Sequence, residues 1–475
     1  MEEIYQFKLD PDKETPMYRQ IADSIALLIE KGILPTESKL PPIRKLAAHY
    51  GVNTVTIVTA YKYLEQKQMV YSRVGSGTYI APLPIAHIPT SLTQRNLTNF
   101  STPPAVAHTI NFTVTSLPHT LFPVHAFKEA FDAVLDREQG GAFRYTDSMG
   151  YLPLRDTLCR YLASFGIQTN AEQVQIISGA QQGIDIMAKA FLQYGDVVFT
   201  ESPTFYGAAG AFLSRGAKVL GIPLQQDGMD LQALENDLKL YHPRFLYMTA
   251  YFQTPTGISY SMEKKRRLLE LAEQYDTYII EEDNFYDFHY GKEKPLPLKA
   301  LDHKNRVVYI KSFSKILMPG LRMGVMVLPK RIRNAVLEAK YTTDISSSGF
   351  IQKALEEYLC ANGWERHGEQ VRRYGSGKYR QAVSMAKKYL CPPASCILPQ
   401  GGVSLWVTLP EGVTDEALCS HALTKHVLIS PGSQFSLHDG PSHEIRLSFA
   451  SLTDDQIAVG MKRLGESIRE LMQQA

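Results

Sequence analysis

The chain has 475 residues, about three times a common domain length, which predicts two or three folded units. Hydrophobic residues make up 44% of it and charged residues 21%, a composition that excludes a wholly disordered protein. The formal net charge of +2 excludes a generally polycationic protein but allows a local basic surface.

The first 81 residues are predicted to form a small module with segregated charge. Residues 1–37 carry four basic and eight acidic side chains, whereas residues 38–80 carry six basic and one acidic, a net +5. Such polarity is typical of a module with one face turned to nucleic acid. Apolar spacing and turn residues predict a helix near Tyr18–Ile29, helices Ile43–Tyr50 and Thr54–Gln66, and a hairpin wing of Val70–Ser72 and Thr78–Ile80.

This helix-turn-helix with a wing has side chains suited to DNA. Thr54 and Thr56 begin the second helix of the motif with short hydroxyl groups that reach base edges or phosphates. Arg44 can neutralise phosphate charge, and Gly75 and Gly77 allow the wing to approach closely. A small helical docking domain, with the threonines as caps and the glycines in an ordinary turn, is the alternative from these residues alone.

The remaining chain is predicted to be a linker followed by a two-lobed body. Residues 82–108 contain several prolines and no helical or strand period. From residue 109 onward, β-rich runs alternate with helical stretches, which predicts an α/β domain with a large mixed sheet and a small α+β lobe from about residue 365. The runs are Val174–Ser178, Val197–Glu201, Lys218–Pro223, Arg244–Ala250, Tyr278–Asp283, Arg306–Ser314 and Met323–Leu328, then Val403–Leu409, Val427–Ser430 and Glu444–Ala450.

Polar signals follow several of these predicted strands. Lys315 stands just past one strand, and a partly desolvated lysine suits Schiff-base chemistry. Ser312 and Arg322 on either side of it could bind a phosphate. Asp283 ends another strand. A carboxylate there could attract a pyridinium nitrogen about 4 Å away, and at an effective dielectric near 20 this attraction is worth about 4 kcal/mol. A surface turn and a capping aspartate are the ordinary explanations of the lysine and the acid.

Two further segments complete the pattern. Ser178–Gly183 joins a strand to a helix, so its amides could cradle an anion. Glu201–Tyr206 follows the next strand and offers a ring that could stack on a flat cofactor. An ordinary glycine turn and a core aromatic residue remain the alternatives for these segments.

The head carries the motifs of a known family. Leu40–Ala47, Gly51–Asn53 and Gly75–Thr78 stand in the order found in the GntR family of winged-helix regulators, which residues 17–81 resemble. The resemblance implies double-stranded DNA as partner. Many members carry arginine where this chain has Thr54 and Val58, so the operator sequence is left open. The DNA contacts that it implies are Arg44, Thr54, Thr56, Gly75 and Gly77.

Residues 109–475 resemble the fold-type I aminotransferases in the order of Asp283, Lys315 and Arg322. This resemblance implies pyridoxal 5′-phosphate as cofactor, held on Lys315 as an internal aldimine. Thr254 departs from the family, which usually has asparagine there. In the implied site, Asp283 would pair with the ring nitrogen, Tyr286 would hydrogen-bond the phenolic oxygen and Phe205 would stack on the ring. The phosphate would be held by Ala180, Gln181, Ser312 and Arg322, and Tyr145 would reach the phosphate of the neighbouring subunit. Arg446 would bind the carboxylate of an amino acid.

Head, linker and body together resemble the MocR subfamily of transcriptional regulators. The resemblance implies a homodimer that binds DNA and senses an amino acid, an amine or pyridoxal phosphate itself through an external aldimine. A working class I/II aminotransferase with a docking head is the alternative, and a DNA-binding protein with an inactive body is a third reading.

The sequence predicts neither a membrane segment nor a metal site. Its apolar runs fall short of the roughly 18–20 residues that span a bilayer, and its acidic start is unlike a signal peptide. The 5 cysteines contain no Cys-x-x-Cys pair, so we expect no disulfide framework and no zinc. These features predict a cytoplasmic protein.

Overall fold

The computed structural model describes residues 7, 9–10, 15–30, 34, 38–67, 69–73, 76–81, 109–291, 293–361 and 363–474. These residues divide into two compact units, which are the head up to residue 81 and a body made of nearly all the rest. The predicted linker and the prediction for Gly75 lie outside the described residues.

The head has the predicted helix-turn-helix and wing. Its elements are α1 (Met17–Glu30), α2 (Ile43–Tyr50), α3 (Thr54–Gln66), β1 (Val70–Arg73) and β2 (Gly77–Ile80). Ile25 of α1 packs with Ile57 of α3, and both are fully buried because the apolar residues recur at helical spacing. Gly51 ends α2 with a φ of +63°, a conformation that favours glycine.

A mixed sheet of eight strands forms the large lobe of the body, as predicted. Its spatial order is β4-β11-β10-β9-β8-β5-β6-β7, in which the strands from β10 to β6 run parallel and the two edges are antiparallel. Ligands of such sheets bind at the carboxyl ends of the parallel strands. The strands are β4 (Val174–Ile177), β5 (Val197–Ser202), β6 (Lys218–Gln225), β7 (Gly228–Met229), β8 (Phe245–Met248), β9 (Tyr278–Asp283), β10 (Val307–Ser312) and β11 (Gly324–Val327).

Helices cover the sheet and lead into the small lobe. They are α4 (Val124–Glu138), α5 (Leu152–Ala163), α6 (Ala180–Phe191), α7 (Tyr206–Leu213), α8 (Leu231–Tyr241), α9 (Met262–Gln274), α10 (Arg333–Asp344), α11 (Gly349–Cys360) and α12 (Gly363–Tyr389). Ala382 and Ala386 near the end of α12 lie in the core of the small lobe. This long helix therefore connects the two lobes.

The small lobe is built from a four-stranded sheet and two more helices. Its elements are β12 (Ser395–Ile397), β13 (Ser404–Thr408), α13 (Asp415–Thr424), β14 (Val427–Leu428), β15 (Ser430–Pro431), β16 (Glu444–Ser448) and α14 (Asp454–Gln474). The first strand of the body, β3 (Ile110–Asn111), pairs with β14, so the start of the body belongs to this C-terminal lobe. Sequence analysis did not predict that pairing.

Within the described residues, no helix is long and apolar enough to cross a membrane. The same residues contain no group of three or more His, Cys, Asp and Glu side chains that could hold a metal ion.

Candidate cofactor site and nucleic-acid interface

The start of α3 presents the short side chains expected of a DNA-reading helix. Asn53 caps the helix, because its Oδ1 accepts a hydrogen bond from the amide of Val55 at 3.0 Å. Thr54 is exposed and Thr56 is half-buried. Val55 is 65% exposed, and an apolar side chain there suits the methyl group of thymine. Val55 was not among the predicted DNA contacts, because those were chosen for polar or basic groups or for glycine.

The wing and α2 supply exposed basic side chains. Arg44 lies on the exposed side of α2. The guanidinium of Arg73 lies 5.0 Å from the ring centroid of Tyr79 in the wing. Gly77 has a φ of +128°, and a Cβ at this position would lie 2.7 Å from the Cε atom of Lys39. The positive φ is what favours glycine here, since the end of the flexible Lys39 side chain could move aside.

Lys315 follows β10 and its amine is enclosed in the body. The Nζ atom donates a hydrogen bond to Oγ1 of Thr115 at 2.7 Å. Burial of the amine, helped by the nearby cations Arg446 and Arg322, lowers the pKa of Lys315 to about 8, while Glu282 opposes the shift. With this pKa about half of the amine is neutral at pH 8, and the neutral form is the nucleophile.

An anion cradle lies at the start of α6. Arg322 donates from Nη2 to the carbonyl of Ser178 at 2.8 Å, and its Nη1 lies 3.4 Å from Oγ of Ser314. Gly179 has a φ of +89°, and a Cβ there would lie 2.6 Å from Nη2 of Arg322. No side chain caps α6, so the amide of Ala180 is left for a ligand. This donor set fits a phosphate.

Ser312, Gln181 and Phe205 surround the cradle in different ways. Ser312 is buried, and its Oγ accepts a hydrogen bond from the amide of Ser314 at 3.2 Å. Gln181 is exposed and donates from Nε2 to the carbonyl of Gly207 at 2.8 Å. A Cβ at Gly207 would lie 2.5 Å from the ring of Phe205. Gly207 therefore makes room for Phe205 beside Gln181.

The structure places Glu282, rather than the predicted Asp283, beside Lys315. Side chains alternate along β9, so Glu282 points to one face of the sheet and Asp283 to the other. Glu282 is the acid whose charge acts on Lys315. Asp283 instead accepts hydrogen bonds from the hydroxyl of Tyr309 at 2.5 Å and from Nζ of Lys311 at 3.1 Å.

Glu282 is buried and held by two hydrogen bonds. Tyr247 donates its hydroxyl to one carboxylate oxygen, and Asn284 donates from Nδ2 to the other at 2.8 Å. Burial raises the pKa of Glu282 despite these donors and the nearby Lys315 cation. A buried acid with its pKa raised in this way is suited to share a proton with a ring nitrogen.

Tyr286, like Asp283, lies away from Lys315. Its ring stacks on Phe165 at 3.7 Å and lines a separate cavity. Phe285 lines the cleft that also contains Thr115, Thr254 and Arg446. Phe285 therefore lies in the cleft where the sequence predicted Tyr286, and its ring has no hydroxyl to donate.

Arg446 reaches the same cleft from β16. It donates from Nη2 to the carbonyl of Thr113 at 3.2 Å and to Oγ of Ser430 at 3.1 Å. Burial lowers the pKa of Arg446 to about 10. Its Nε atom is buried without a partner among the described residues. An arginine with a free donor is ready to bind a carboxylate.

Tyr145 is not brought to Lys315 within this chain. It is 88% exposed, and neighbouring Phe143 is 68% exposed. The role predicted for Tyr145 requires a second subunit, so it stays a prediction.

Two family models match the chain. The model of the aminotransferase class I and II family matches residues 108–464, and the model of bacterial regulatory proteins of the gntR family matches residues 17–80. The chain belongs to the aminotransferase class I and II family and carries a gntR-family head. Its layout is that of the MocR-type regulators, as the sequence predicted.

Individual relatives agree with this assignment. The uncharacterized HTH-type transcriptional regulator YdfD of Bacillus subtilis is 29% identical and covers 97% of this chain and 98% of its own length. The probable rhizopine catabolism regulatory protein MocR of Rhizobium meliloti is 28% identical over 96% of this chain and 94% of its own length. The solved structure of Pyrococcus horikoshii kynurenine aminotransferase with PMP has a TM-score of 0.75 at 29% identity, covering 80% of this chain and 94% of that one.

The lowered pKa of Lys315 predicts how its amine reacts. In cofactor-free protein, acylation of Lys315 by acetic anhydride should rise with pH and level off above about pH 8, whereas an ordinary lysine levels off above about 10.4. Arg446→Gln should move this plateau to higher pH because it removes a cation that lowers the pKa. Glu282→Gln should move it to lower pH because it removes an anion that raises the pKa.

Peptide mass spectrometry of the acylated protein measures these plateaus, with exposed Lys304 as the internal reference. Shifts in the same direction in both variants would contradict the electrostatic account of the site.

Proposed function

We propose that the chain is a cytoplasmic, dimeric regulator that binds double-stranded DNA through the head and senses an amino acid or amine in the body. The observation that carries the proposal is the lowered pKa of Lys315, close to Arg322 of the anion cradle and to Arg446, in a chain with a winged-helix head. A coupling of about 1–3 kcal/mol between the two sites would change DNA occupancy from severalfold to a hundredfold.

The residues of the site fit pyridoxal phosphate. When bound, this cofactor supplies an aldehyde that condenses with primary amines and a ring that withdraws electrons. Arg322, Ser314 and the amide of Ala180 would hold its phosphate. Lys315 would provide the amine, and Glu282 would hold a proton at the ring nitrogen.

The effector would be bound by Arg446. Its Nε atom has no partner among the described residues, so it could donate to an incoming carboxylate together with Nη2. Its guanidinium lies 4.8 Å from the centroid of the Phe435 ring. A molecule carrying both a carboxylate and an amine would bridge Arg446 and the position of the Lys315 amine. An α-amino acid has this pattern of charges.

The simplest test is the visible absorbance of the bound cofactor. Lys315→Ala should abolish the absorbance that the wild-type chain acquires on mixing with pyridoxal phosphate, because it removes the amine that would condense with the aldehyde. Lys304→Ala, at an exposed lysine, is the matched control and should keep it. A wild-type chain that stays colourless would favour the reading in which the body is inactive.

DNA binding by the head should depend on salt and on Arg44. The affinity for DNA from the gene's upstream region should fall with rising salt with a slope reflecting several phosphate contacts. Arg44→Ala should weaken binding and reduce that slope by about 1. Lys128→Ala on the exposed face of α4 in the body is the control. An affinity that ignores both salt and Arg44 would argue against this face.

An active aminotransferase is the second candidate. It is favoured by Lys315 and Arg446, and the 2-aminoadipate transaminase of Thermus thermophilus is 32% identical over 74% of this chain and 88% of its own length. Phe285 and Thr254 count against efficient turnover because the site lacks a phenol and an amide there. Incubation with amino acids and a keto-acid acceptor distinguishes the two, since rapid multiple turnovers without DNA binding would overturn the regulator.

A further inference from the structure

A second cavity, of about 550 Å³, lies in the body apart from Lys315. It is bounded by α5, the segment after β9, the end of α11 and the first turns of α12. The residues that give it chemical character are Tyr161, Phe165, Tyr286, Asp287, Trp364 and Arg372. Thr115, Glu282, Arg322 and Arg446, which bond to Lys315 or shift its pKa, are not among the lining residues.

Aromatic rings form its walls. Phe165 stacks on Tyr286 with an interplanar angle of 16°, and both residues are 5% exposed. Tyr161 meets Trp364 edge-on with ring centroids 5.0 Å apart. Walls of this kind favour a flat aromatic guest over a flexible polar one.

Two donors in the cavity lack acceptors. The hydroxyl of Tyr161 is buried and has no hydrogen-bond partner in the part of the chain that the structure describes. Arg372 is half-buried and forms no ion pair with a described residue. A Cβ at Gly368 would lie 3.3 Å from its Nη1 atom, so the guanidinium folds over that glycine at the cavity wall. A hydroxyl and a guanidinium together suit a carboxylate.

The acids around the cavity leave Arg372 available. Asp287 is buried and already accepts a hydrogen bond from Nζ of Lys311 at 3.1 Å. Glu365 and Glu369 lie on the exposed rim, and neither forms an ion pair with Arg372. Arg372 is therefore a half-buried cation at the cavity wall that has no counter-ion among the described residues.

We propose that the second cavity binds a small aromatic carboxylate, with the carboxylate on Arg372 and Tyr161 and the ring against Tyr286 and Trp364. Such a ligand would act on the Lys315 site. Asp283 Oδ1 accepts hydrogen bonds from the amides of both Phe285 and Tyr286, at 3.1 and 2.9 Å, so one short segment forms a wall of each site.

The two tryptophans of the chain allow a direct test. Trp364 lines the second cavity, whereas Trp406 is buried in the small lobe 5.9 Å from Phe435, on the Arg446 side. Trp406→Phe leaves Trp364 as the reporter, and Trp364→Phe leaves Trp406. Titration of both full-length variants with 3-phenylpropionate should give a saturable fluorescence change for the Trp364 reporter and none for the Trp406 reporter.

Charge recognition is tested in the same assay. Arg372→Gln in the Trp406→Phe background should raise the Kd about tenfold or more, as loss of one charge-assisted hydrogen bond predicts. The uncharged analogue 3-phenylpropionamide should bind the unchanged cavity weaker by a similar factor, which keeps the test valid should Arg372→Gln fold poorly. The Arg446→Gln variant should bind as before.

Several results would overturn the proposal. These are a Trp364 signal that does not saturate, equal affinity for the acid and the amide, or loss of binding in Arg446→Gln. Because the signal comes from Trp364 without cofactor, this outcome is independent of whether Lys315 holds pyridoxal phosphate.

Discussion

Exchange of Lys311 for methionine is expected to lower the body's free energy of unfolding by about 3–5 kcal/mol. The ammonium is fully buried and lies 3.1 Å from a carboxylate oxygen of both Asp283 and Asp287. Burial alone would lower the pKa of Lys311, but the two carboxylates outweigh it and raise the pKa, so the group stays charged. Methionine keeps most of the stem and leaves two buried carboxylates without a cation.

Urea unfolding followed by tryptophan fluorescence measures this loss, because Trp364 and Trp406 both lie in the body. Lys304→Met is the matched control: its amine is paired with Glu273 on the surface and should contribute at most about 1 kcal/mol. Asp287→Asn added to Lys311→Met should restore part of the stability because it removes one unpaired charge. Equal losses for Lys311→Met and Lys304→Met would contradict the role of this buried cluster.

The second large effect distinguishes the two neighbouring acids of β9. Glu282→Gln should weaken binding of pyridoxal phosphate about a hundredfold, because a charge pair about 4 Å apart is worth up to about 4 kcal/mol and an amide keeps only part of it. Asp283→Asn should change cofactor affinity by less than about threefold. It should instead destabilise the body, since Asp283 is bonded to Tyr309 and Lys311.

Cofactor titration by visible absorbance and urea unfolding of both variants supply the two readouts. The assignment predicts a crossed result, in which one variant loses affinity and the other loses stability. Loss of cofactor affinity in Asp283→Asn alone would return the role to Asp283.

The head could be predicted closely from sequence because local rules determine it. Asn53 caps α3, Gly51 ends α2, and the apolar residues of α1 and α3 follow one helical face. Each of these features depends on residues a few positions apart. The predicted and observed ends of α2 and α3 therefore coincide.

The strands of the large sheet were also predicted, but not which acid of Glu281–Asp283 faces the site. Three consecutive acids end β9, and sequence spacing alone does not say which face of the sheet receives the cofactor. A difference of one residue moves a side chain to the opposite face. A difference of one residue also separates the predicted Tyr286 from Phe285, which lines the cleft.

The second cavity has no signal in the sequence. Phe165, Tyr286 and Trp364 are far apart in the chain and come from separate elements. Each reads as an ordinary core aromatic residue by itself. They form one cavity only in the folded chain, beside Arg372, which has no ion pair among the described residues.

The pairing of β3 with β14 determines which lobe the DNA-binding head is tethered to. From β3 the chain continues through Thr113, whose carbonyl accepts a hydrogen bond from Arg446, to Thr115, whose hydroxyl accepts one from Lys315. A guest that takes the hydrogen bond of either cation would displace one of these two threonines, which closely follow β3 in the chain. Occupancy of the pocket would therefore change hydrogen bonds of the segment that connects β3 to the rest of the body.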